Sequence, residues 1–307
     1  MVERFTQLHS WLYAQLLQPL LFRCDLMAWA ELSYEWSELF LLGAVEVIVL
    51  WALLRPLEAL FPVERPENHD ATHVDVVYTL LARLGILPIF FFIVLQPAVD
   101  ALHAALRLHD IIPPNLEDII PALENRTWLA LLAYLLLFDL LDYWRHRGEH
   151  SFRRWWALHS VHHSQRQMTF WSDEREHLLG QAIAALLRAL LALAIGVPPA
   201  QYLIVTLATG ALESLAHANI RMSFGRLGDR LLVSPLFHRT HHALHHNQTS
   251  NLATVFPLWD ILFGTADFSR LYPPTGIDDQ QDYGRGFWQQ QALGLRRLFA
   301  KVDPGNR

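Results

Sequence analysis

Histidine is the residue type in this chain whose number and spacing most clearly point to chemistry. The chain contains 17 histidines, and 12 of them fall between His146 and His246. Three motifs have ordered spacing, and two further histidines stand alone between the second and the third. The motifs are His146 with His150, then His159, His162 and His163, then His238, His241 and His242; the single residues are His177 and His217. Imidazole side chains at this density predict a metal site.

The spacing within each motif predicts that its side chains share one face of a helix. Residues at i, i+3 and i+4 are neighbours on a helix surface, so the three members of the second motif should converge, and the third motif should repeat that arrangement. His146 and His150 form an i, i+4 pair, by which one helix offers two imidazoles to one metal ion. Eight imidazoles on three helices exceed the capacity of one ion, so the spacing predicts two ions with about four or five nitrogen ligands each.

The type of ligand narrows the choice of metal without identifying it. Imidazole suits zinc, copper, iron and nickel, whereas magnesium and calcium prefer oxygen ligands. A structural zinc site has four ligands and usually includes cysteine. The sole cysteine, Cys24, excludes a cysteine-based site and a disulfide framework. Spacing alone leaves iron and zinc open.

Two aspartates precede the first motif on the same helical stripe. Metal-bound histidines usually donate their second ring N–H to a carboxylate or a carbonyl. Asp142 lies four residues before His146 and is a candidate for that role, and Asp139 continues the stripe into the membrane segment. The alternative for Asp142 is a carboxylate at the helix end that pairs with Arg145 or Arg147, and the sequence favours neither reading.

The histidines outside the motifs carry a weaker signal. His217 should end a membrane helix and point at the zone of the motifs, whereas His177 at a helix start leaves a capping role open. His245 and His246 continue the stripe of the third motif. The remaining five are interpreted as surface or interfacial residues: His9, His69, His73, His103 and His109.

Composition and apolar segments predict an all-α, multi-pass transmembrane bundle. Of the 307 residues, 52% are hydrophobic and 18% are charged, whereas soluble domains average about 25% charged residues. A membrane-spanning helix needs about 20 mostly apolar residues, and five stretches come near that length: 35–54, 76–99, 127–144, 178–196 and 199–217. The alternative is a large helical soluble core, but segments that are apolar all round disfavour it. Residues 8–21 are shorter and are predicted to be interfacial.

The distribution of arginine predicts the orientation of these segments. Loops rich in arginine stay on the cytoplasmic side, and arginine is concentrated in 145–175 and 221–239, whereas 103–126 is mainly acidic. The histidine motifs and the C-terminus are therefore predicted to be cytoplasmic, in what is interpreted as a bacterial inner (cell) membrane. A net charge of −6 without a basic run gives no support for nucleic-acid binding.

The motifs resemble those of the fatty acid hydroxylase/sterol desaturase superfamily. The resemblance covers about residues 127–266, and the three-residue gap of the first motif is closest to the alkylglycerol monooxygenase and sterol C5-desaturase-like branches. The residues that carry it are Asp142-Tyr-Trp-Arg-His146-Arg147 with His150, His159-Ser-Val-His162-His163-Ser164, Arg175-Glu-His177, His217-Ala-Asn219, His238-Arg-Thr-His241-His242, Asn251 and Leu258-Trp-Asp-Ile-Leu-Phe-Gly-Thr265.

The resemblance implies a membrane helix bundle with a cytosolic helical cap that holds two metal ions, taken as iron in the active enzyme, with zinc possible in a purified form. Under this resemblance His177 is a predicted ligand. Asn251, like Asp142 and Asp139, is predicted to contact the ligands rather than the metal ions. The predicted ligand set is then His146, His150, His159, His162, His163, His177, His217, His238, His241 and His242. Three regions follow: a membrane region, 1–126; the histidine-motif catalytic domain, 127–266; and a cytoplasmic tail, 267–307.

The activity implied by the resemblance is oxygen-dependent hydroxylation or desaturation of a C–H bond in a lipid, a sterol, or an acyl or alkyl chain. Dioxygen and a membrane lipid are then the substrates, and electrons come from a separate donor such as ferredoxin, cytochrome b5 or a reductase. No side chain beyond the metal ligands is predicted to be catalytic.

Two other classes of protein also place histidines on membrane helices. A haem-binding electron carrier would have isolated pairs within the spans. A metal transporter has polar ligands near the bilayer midplane on broken helices, where these segments have almost no histidine. The dense motifs at the segment ends favour the enzyme.

Overall fold

The computed structural model describes residues 2–65, 69–244, 249–278 and 285–300, without the side chains of Val2 and His69. Regular structure in this part of the chain is helical, apart from an isolated bridge between Ala243 and Thr275. This confirms the all-α prediction. The helices are α1 Val2–Leu12, α2 Gln18–Arg23, α3 Ala30–Leu60, α4 His69–Arg83, α5 Ile86–Leu108, α6 Leu116–Ile119, α7 Thr127–Ser151, α8 Arg153–His163, α9 Leu178–Ile195, α10 Pro199–His217, α11 Gly225–Leu231, α12 Pro235–His241, α13 Leu258–Phe263 and α14 Phe287–Phe299.

Four helical stretches are long and apolar enough to cross a membrane, which confirms the multi-pass prediction. They are Met27–Leu60, Ile86–Leu108, Thr127–Ser151 and Leu178–Ile195. Large apolar side chains on the outer faces of α3 and α5, among them Ile48, Phe90 and Val94, are exposed. Soluble proteins rarely expose apolar surface over such an extent, so these faces fit contact with lipid.

The second predicted span, 76–99, is wrong in its boundaries because a helix break falls inside it. Helix α4 ends at Arg83 and α5 begins at Ile86. Gly85 between them has φ +79°, in the left-handed region that glycine adopts at little cost. Apolar residues continue on both sides of the break, so hydropathy did not reveal it.

The fifth predicted span coincides with α10, which is not among the four stretches that are apolar enough to cross. Helix α10 packs against α3, α7 and α12, so a polar residue such as Ser214 is buried against protein and not exposed to lipid. Gly196, with φ +58°, is the residue at which α9 ends. By length and composition, the five predicted spans are thus corrected to four.

The N-terminal segment predicted to be interfacial forms α1 and α2, joined by a π-helical turn. Trp11, Leu20 and Phe22 on this segment are exposed, as contact with lipid headgroups and chains requires. The surface prediction for His9 is wrong: the side chain is buried, and its Nε2 lies 2.8 Å from the hydroxyl of Ser37. A small polar contact therefore ties α1 to α3.

Helices α8, α12 and α13 pack on the histidine-rich ends of α7 and α10. Helix α14 packs against α8 and α4. The hydroxyl of Tyr78 on α4 donates to Gln290 (2.9 Å) and accepts from Gln291 (2.9 Å). Part of the predicted tail therefore covers the helix that carries the second histidine motif. The division into three regions stays a prediction.

Candidate metal centre

Nine histidine side chains meet where α7, α8, α10 and α12 come together. They form two groups, and in each group one ring nitrogen per residue lies within 4.8 Å of the others. The five-histidine group contains His146, His150, His159, His163 and His241, and the four-histidine group contains His162, His217, His238 and His242. The rings of His163 and His242 stack with centroids 4.2 Å apart, so the two groups adjoin.

Helix geometry divides each three-residue motif between the two groups. His159 and His163, one turn apart on α8, join the five-histidine group, while His162 joins the four-histidine group. The third motif does the reverse, since its i, i+4 pair joins the four-histidine group. Consecutive helical residues point about 100° apart, so His162 and His163 face different partners. The prediction that all three members of a motif converge is corrected accordingly.

Backbone carbonyls orient four of the rings through their Nδ1 atoms. A carbonyl oxygen only accepts a hydrogen bond, so each of these Nδ1 atoms carries the hydrogen and the opposite Nε2 presents a lone pair. The pairs are His146 with Leu252 (2.7 Å), His241 with Ser250 (2.8 Å), His162 with Arg175 (3.1 Å) and His217 with Glu213 (2.8 Å).

The contacts between rings in the four-histidine group fit a bound cation. The Nε2 atoms of His162 and His217 lie 3.2 Å apart, and both carry lone pairs because their Nδ1 atoms donate. Burial lowers the pKa of His162 well below the ordinary value, which disfavours a proton between these two atoms. In the five-histidine group, both ring nitrogens of His163 are buried with no hydrogen-bond partner in the described part of the chain. A bound metal ion would remove the repulsion between His162 and His217, and a second ion would give one ring nitrogen of His163 a partner.

The loop 250–256 supplies the two carbonyls of the five-histidine group, and three polar side chains fix it. Asp260 accepts from two successive N–H groups of the loop (2.8 and 2.9 Å), and Asp139 accepts from the next such pair (2.8 and 3.0 Å). Asn251, with φ +57°, donates to the carbonyls of Phe237 and Asp267. Asp139 and Asn251 thus hold the loop, and neither forms a hydrogen bond to a histidine ring. Asp260 stands in the last of the family motifs, and no role was predicted for it.

Asp142 contacts arginines and not a histidine ring. It forms an ion pair with Arg188 on α9 (2.8 Å) and a longer one with Arg145 (3.4 Å). The structure therefore agrees with the pairing alternative, although the main partner lies on a helix that spacing did not connect to it. Arg147, the other arginine considered, instead donates to the hydroxyl of Tyr143.

Two glutamates that the sequence analysis overlooked lie beside His159. The Nδ1 of His159 is 3.4 Å from Glu149 and 3.9 Å from Glu176. Arg145 donates to Glu149 at 2.6 Å and lies 3.7 Å from Glu176. Carboxylates in this position orient a metal-bound imidazole and raise its basicity. The sequence did contain a signal for one of them, because Glu149 lies between the two histidines of the first motif.

His177 is not brought to either group. It is the N-cap of α9, where its Nδ1 accepts from the N–H of Leu179 (3.1 Å) and its Nε2 donates to the carbonyl of Gln291 on α14 (3.0 Å). This placement does not match the ligand role that the resemblance gave it.

Replacing His177 with alanine should leave both metal ions bound and lower stability by about 1 kcal/mol, the usual cost of losing an N-cap side chain. Metal content by mass spectrometry and the thermal unfolding midpoint check this. His217→Ala is the matched control and should lose one ion. Loss of an ion from His177→Ala would return His177 to the ligand set.

The other histidines lie away from both groups. His73 and His109 are exposed and His103 is half-buried, in line with the surface interpretation. His245 and His246 lie outside the described residues, as does the side chain of His69.

A cavity of about 60 Å³ lies against both groups. Five of the nine histidines line it, together with Arg145, Asp173, Glu176 and Glu213. The cavity has room for a few water-sized molecules and is too small for a lipid chain.

Fold and site together define an all-helical protein with four helical stretches able to cross a membrane and two adjoining histidine groups at one end. Comparison with known proteins is consistent with this class. Residues 131–265 match the family model described as fatty acid hydroxylase. The resemblance to the fatty acid hydroxylase superfamily is therefore confirmed for this part of the chain.

One curated relative is an alkylglycerol monooxygenase from Caenorhabditis elegans. It is 28% identical over 159 residues, which is 52% of this chain and 29% of the relative. The match thus spans less than a third of that relative's length. No solved structure matches the chain significantly.

Proposed function

We propose that this protein is an integral-membrane oxygenase that uses dioxygen and external electrons to hydroxylate, or desaturate, a C–H bond of a lipid chain. The observation that carries the proposal is the pair of adjoining histidine groups, in each of which one ring nitrogen per residue lies within 4.8 Å of the others. The family match and the relative named as a monooxygenase support the same reaction class.

Two iron ions are the proposed cofactors, one held by each group. Bound iron would supply the one-electron chemistry needed to activate dioxygen and attack a C–H bond, which redox-inactive zinc does not supply. The chain's own residues hold the ligands in place: the loop 250–256 fixes the Nδ1 hydrogens of His146 and His241. Eight of the nine histidines are buried and His150 is half-buried, so bulk water has little access to the reacting atoms.

The balance of the hydroxylation requires an electron donor. One C–H bond, one dioxygen molecule, two electrons and two protons give one hydroxyl group and one water molecule. We propose that a separate ferredoxin, cytochrome b5 or reductase supplies these electrons. The substrate is proposed to be a membrane lipid, and the name of the relative makes an alkylglycerol the first compound to test.

Labelled dioxygen tests the proposed reaction. Protein loaded anaerobically with Fe²⁺ and placed in lipid nanodiscs containing an alkylglycerol should, with reduced ferredoxin and ¹⁸O₂, yield a lipid that carries one ¹⁸O atom. Desaturation would remove two hydrogens and add no label. His109→Ala, with its exposed side chain, is the control expected to match the parent. Fully loaded and reduced protein that changes neither the alkylglycerol nor the bulk lipid would contradict the proposal.

The alternative classes fit the site less well. A haem takes one or two axial ligands, whereas nine histidines crowd into two small groups here. Transporter ligands lie near the bilayer midplane. Here six of the nine histidines lie on α8, on α12 or directly after α12, and both helices are outside the four candidate spans.

The histidine end is proposed to face the cytoplasm of a bacterial inner membrane. Single cysteines at Ile112 and Ser151, both exposed, test this in a Cys24→Ser background. In intact spheroplasts an impermeant maleimide should label the cysteine at 112 and not the one at 151. Labelling of both positions before lysis would show that the proposed orientation is wrong.

A further inference from the structure

The two histidine groups are anchored by different parts of the chain. The five-histidine group is oriented through the loop 250–256, and both Asp139 and Asp260, which hold that loop, lie within the family match at 131–265. In the four-histidine group, the carbonyl of Arg175 orients His162. The side chain of Arg175 is held by α4, which lies in the N-terminal region outside the match.

The link to α4 is an ion pair between Arg175 and Asp75. The two side chains have no exposed surface, and Nη1 lies 2.7 Å from Oδ1. The other carboxylate oxygen of Asp75 accepts from the hydroxyl of Ser172 (3.1 Å) and from the side-chain amide of Gln165. Burial of two charges costs several kcal/mol per ion and is weak evidence for a role in stability. The contacts of the pair instead indicate what it positions.

Arg175 closes a ring of contacts with α8. Its Nε donates to the carbonyl of Val161 (3.2 Å), and its own carbonyl accepts from the Nδ1 of His162 (3.1 Å). The side chain of Arg175 therefore holds Val161, and its backbone carbonyl orients the neighbouring residue, His162. A displacement of Arg175 would move the carbonyl that orients His162, and the ring of His162 would tilt with it. The Nε2 of His162 lies 3.2 Å from the Nε2 of His217, so a tilt of the ring changes the arrangement of ring nitrogens in the four-histidine group.

We propose that Asp75 is a positioning residue for the metal ion of the four-histidine group, and that it acts through Arg175 on the carbonyl that orients His162. The N-terminal membrane region is then a required part of the metal centre as well as a membrane segment. The inference rests on the proposed function, because it requires one metal ion in each group.

Zinc binding by the full-length protein tests the inference. Metal-depleted protein in detergent micelles is dialysed against a series of Zn²⁺ concentrations, and bound Zn²⁺ is counted. The parent should bind two ions. Asp75→Asn should weaken one of them about 10–100-fold, the usual cost of losing an outer partner of a ligand, and leave the other unchanged. Asp70→Asn, an exposed position on the same helix, should match the parent.

Combined variants identify which ion is affected. In a His241→Ala background, where the five-histidine group is broken, Asp75→Asn should weaken the remaining ion. In a His238→Ala background, where the four-histidine group is broken, Asp75→Asn should have no effect. The opposite pattern, or equal weakening of both ions, would overturn the inference.

Arg175→Lys separates positioning from charge pairing and remains testable if Asp75→Asn does not fold. Lysine keeps a positive charge for Asp75 but lacks the planar fork that also reaches Val161. It should weaken the same ion as Asp75→Asn, and binding of that ion at parent affinity would overturn the positioning role. A parent that binds fewer than two ions would contradict the proposed dimetal centre itself. A parent with two ions and an unaffected Asp75→Asn variant would contradict this inference alone.

Discussion

Replacing His241 with alanine should remove one of two metal ions and reduce activity below about 1% of the parent, because loss of an outer partner alone already costs about 10–100-fold. His241 is fully buried, and its ring lies 4.6–4.7 Å, centroid to centroid, from the rings of His146, His150 and His163. It is thus central to the five-histidine group. Metal counting and product formation on the same preparation measure both effects.

The matched variant is His238→Ala, which should remove the ion of the other group. The double variant should bind none, and His109→Ala should bind two. If His241→Ala keeps full metal content and full activity, the assignment of the five-histidine group is wrong at its centre.

Replacing Arg83 with methionine should destabilise the protein by about 3–5 kcal/mol, the typical effect of removing one partner from a buried ion pair. The Arg83 side chain is only 5% exposed and contacts Glu46 (2.6 Å) and Asp173 (2.7 Å), with Glu174 at 3.3 Å. It also donates to the carbonyl of Gly210. Without the guanidinium, three carboxylates remain close together with no cation between them.

The deficit of Arg83→Met should increase as pH rises. Burial raises the pKa of Glu174 to about 7 even with Arg83 beside it, and loss of Arg83 raises it further. A carboxyl whose pKa is higher in the folded than in the unfolded state binds more protons when folded, so its contribution to stability falls with increasing pH. Thermal unfolding midpoints at pH 6 and pH 8 measure this, with Arg107→Met at an exposed position as the control. An unfolding midpoint equal to the parent's at both values would contradict the role of Arg83.

Local spacing was sufficient to predict most of the histidines that cluster in the structure. Eight of the nine clustered histidines belong to the three motifs, because i, i+3 and i+4 positions share a helix face whatever the fold. The total of five and four nitrogens also agrees with the expectation of two sites. Membrane helices were visible for a similar reason, because apolar length is a local property of the chain. Four of the five predicted spans have counterparts among the four candidates, although the second has different boundaries.

The assignment of each histidine to a group depended on how the helices cross. Helices α8 and α12 each direct histidines from two faces towards different neighbouring helices. For this reason His162 joins the four-histidine group and His163 joins the five-histidine group. Spacing left His217 and His177 uncertain, and the structure distinguishes them. Helix α10 ends beside the four-histidine group and so places His217 there. His177, at the start of α9, instead forms a hydrogen bond to α14.

The sequence by itself determined the kinds of side chain available and their order along each helix. The tertiary structure alone decided which buried charges pair. Asp142 meets Arg188, Asp139 meets the loop after α12, and Asp75 meets Arg175, each across at least 46 residues of chain. Helical periodicity extends over a few turns of one helix, whereas a buried charge selects whichever oppositely charged or polar group packing places beside it. No local pattern carries that choice, because it depends on the packing of several helices at once.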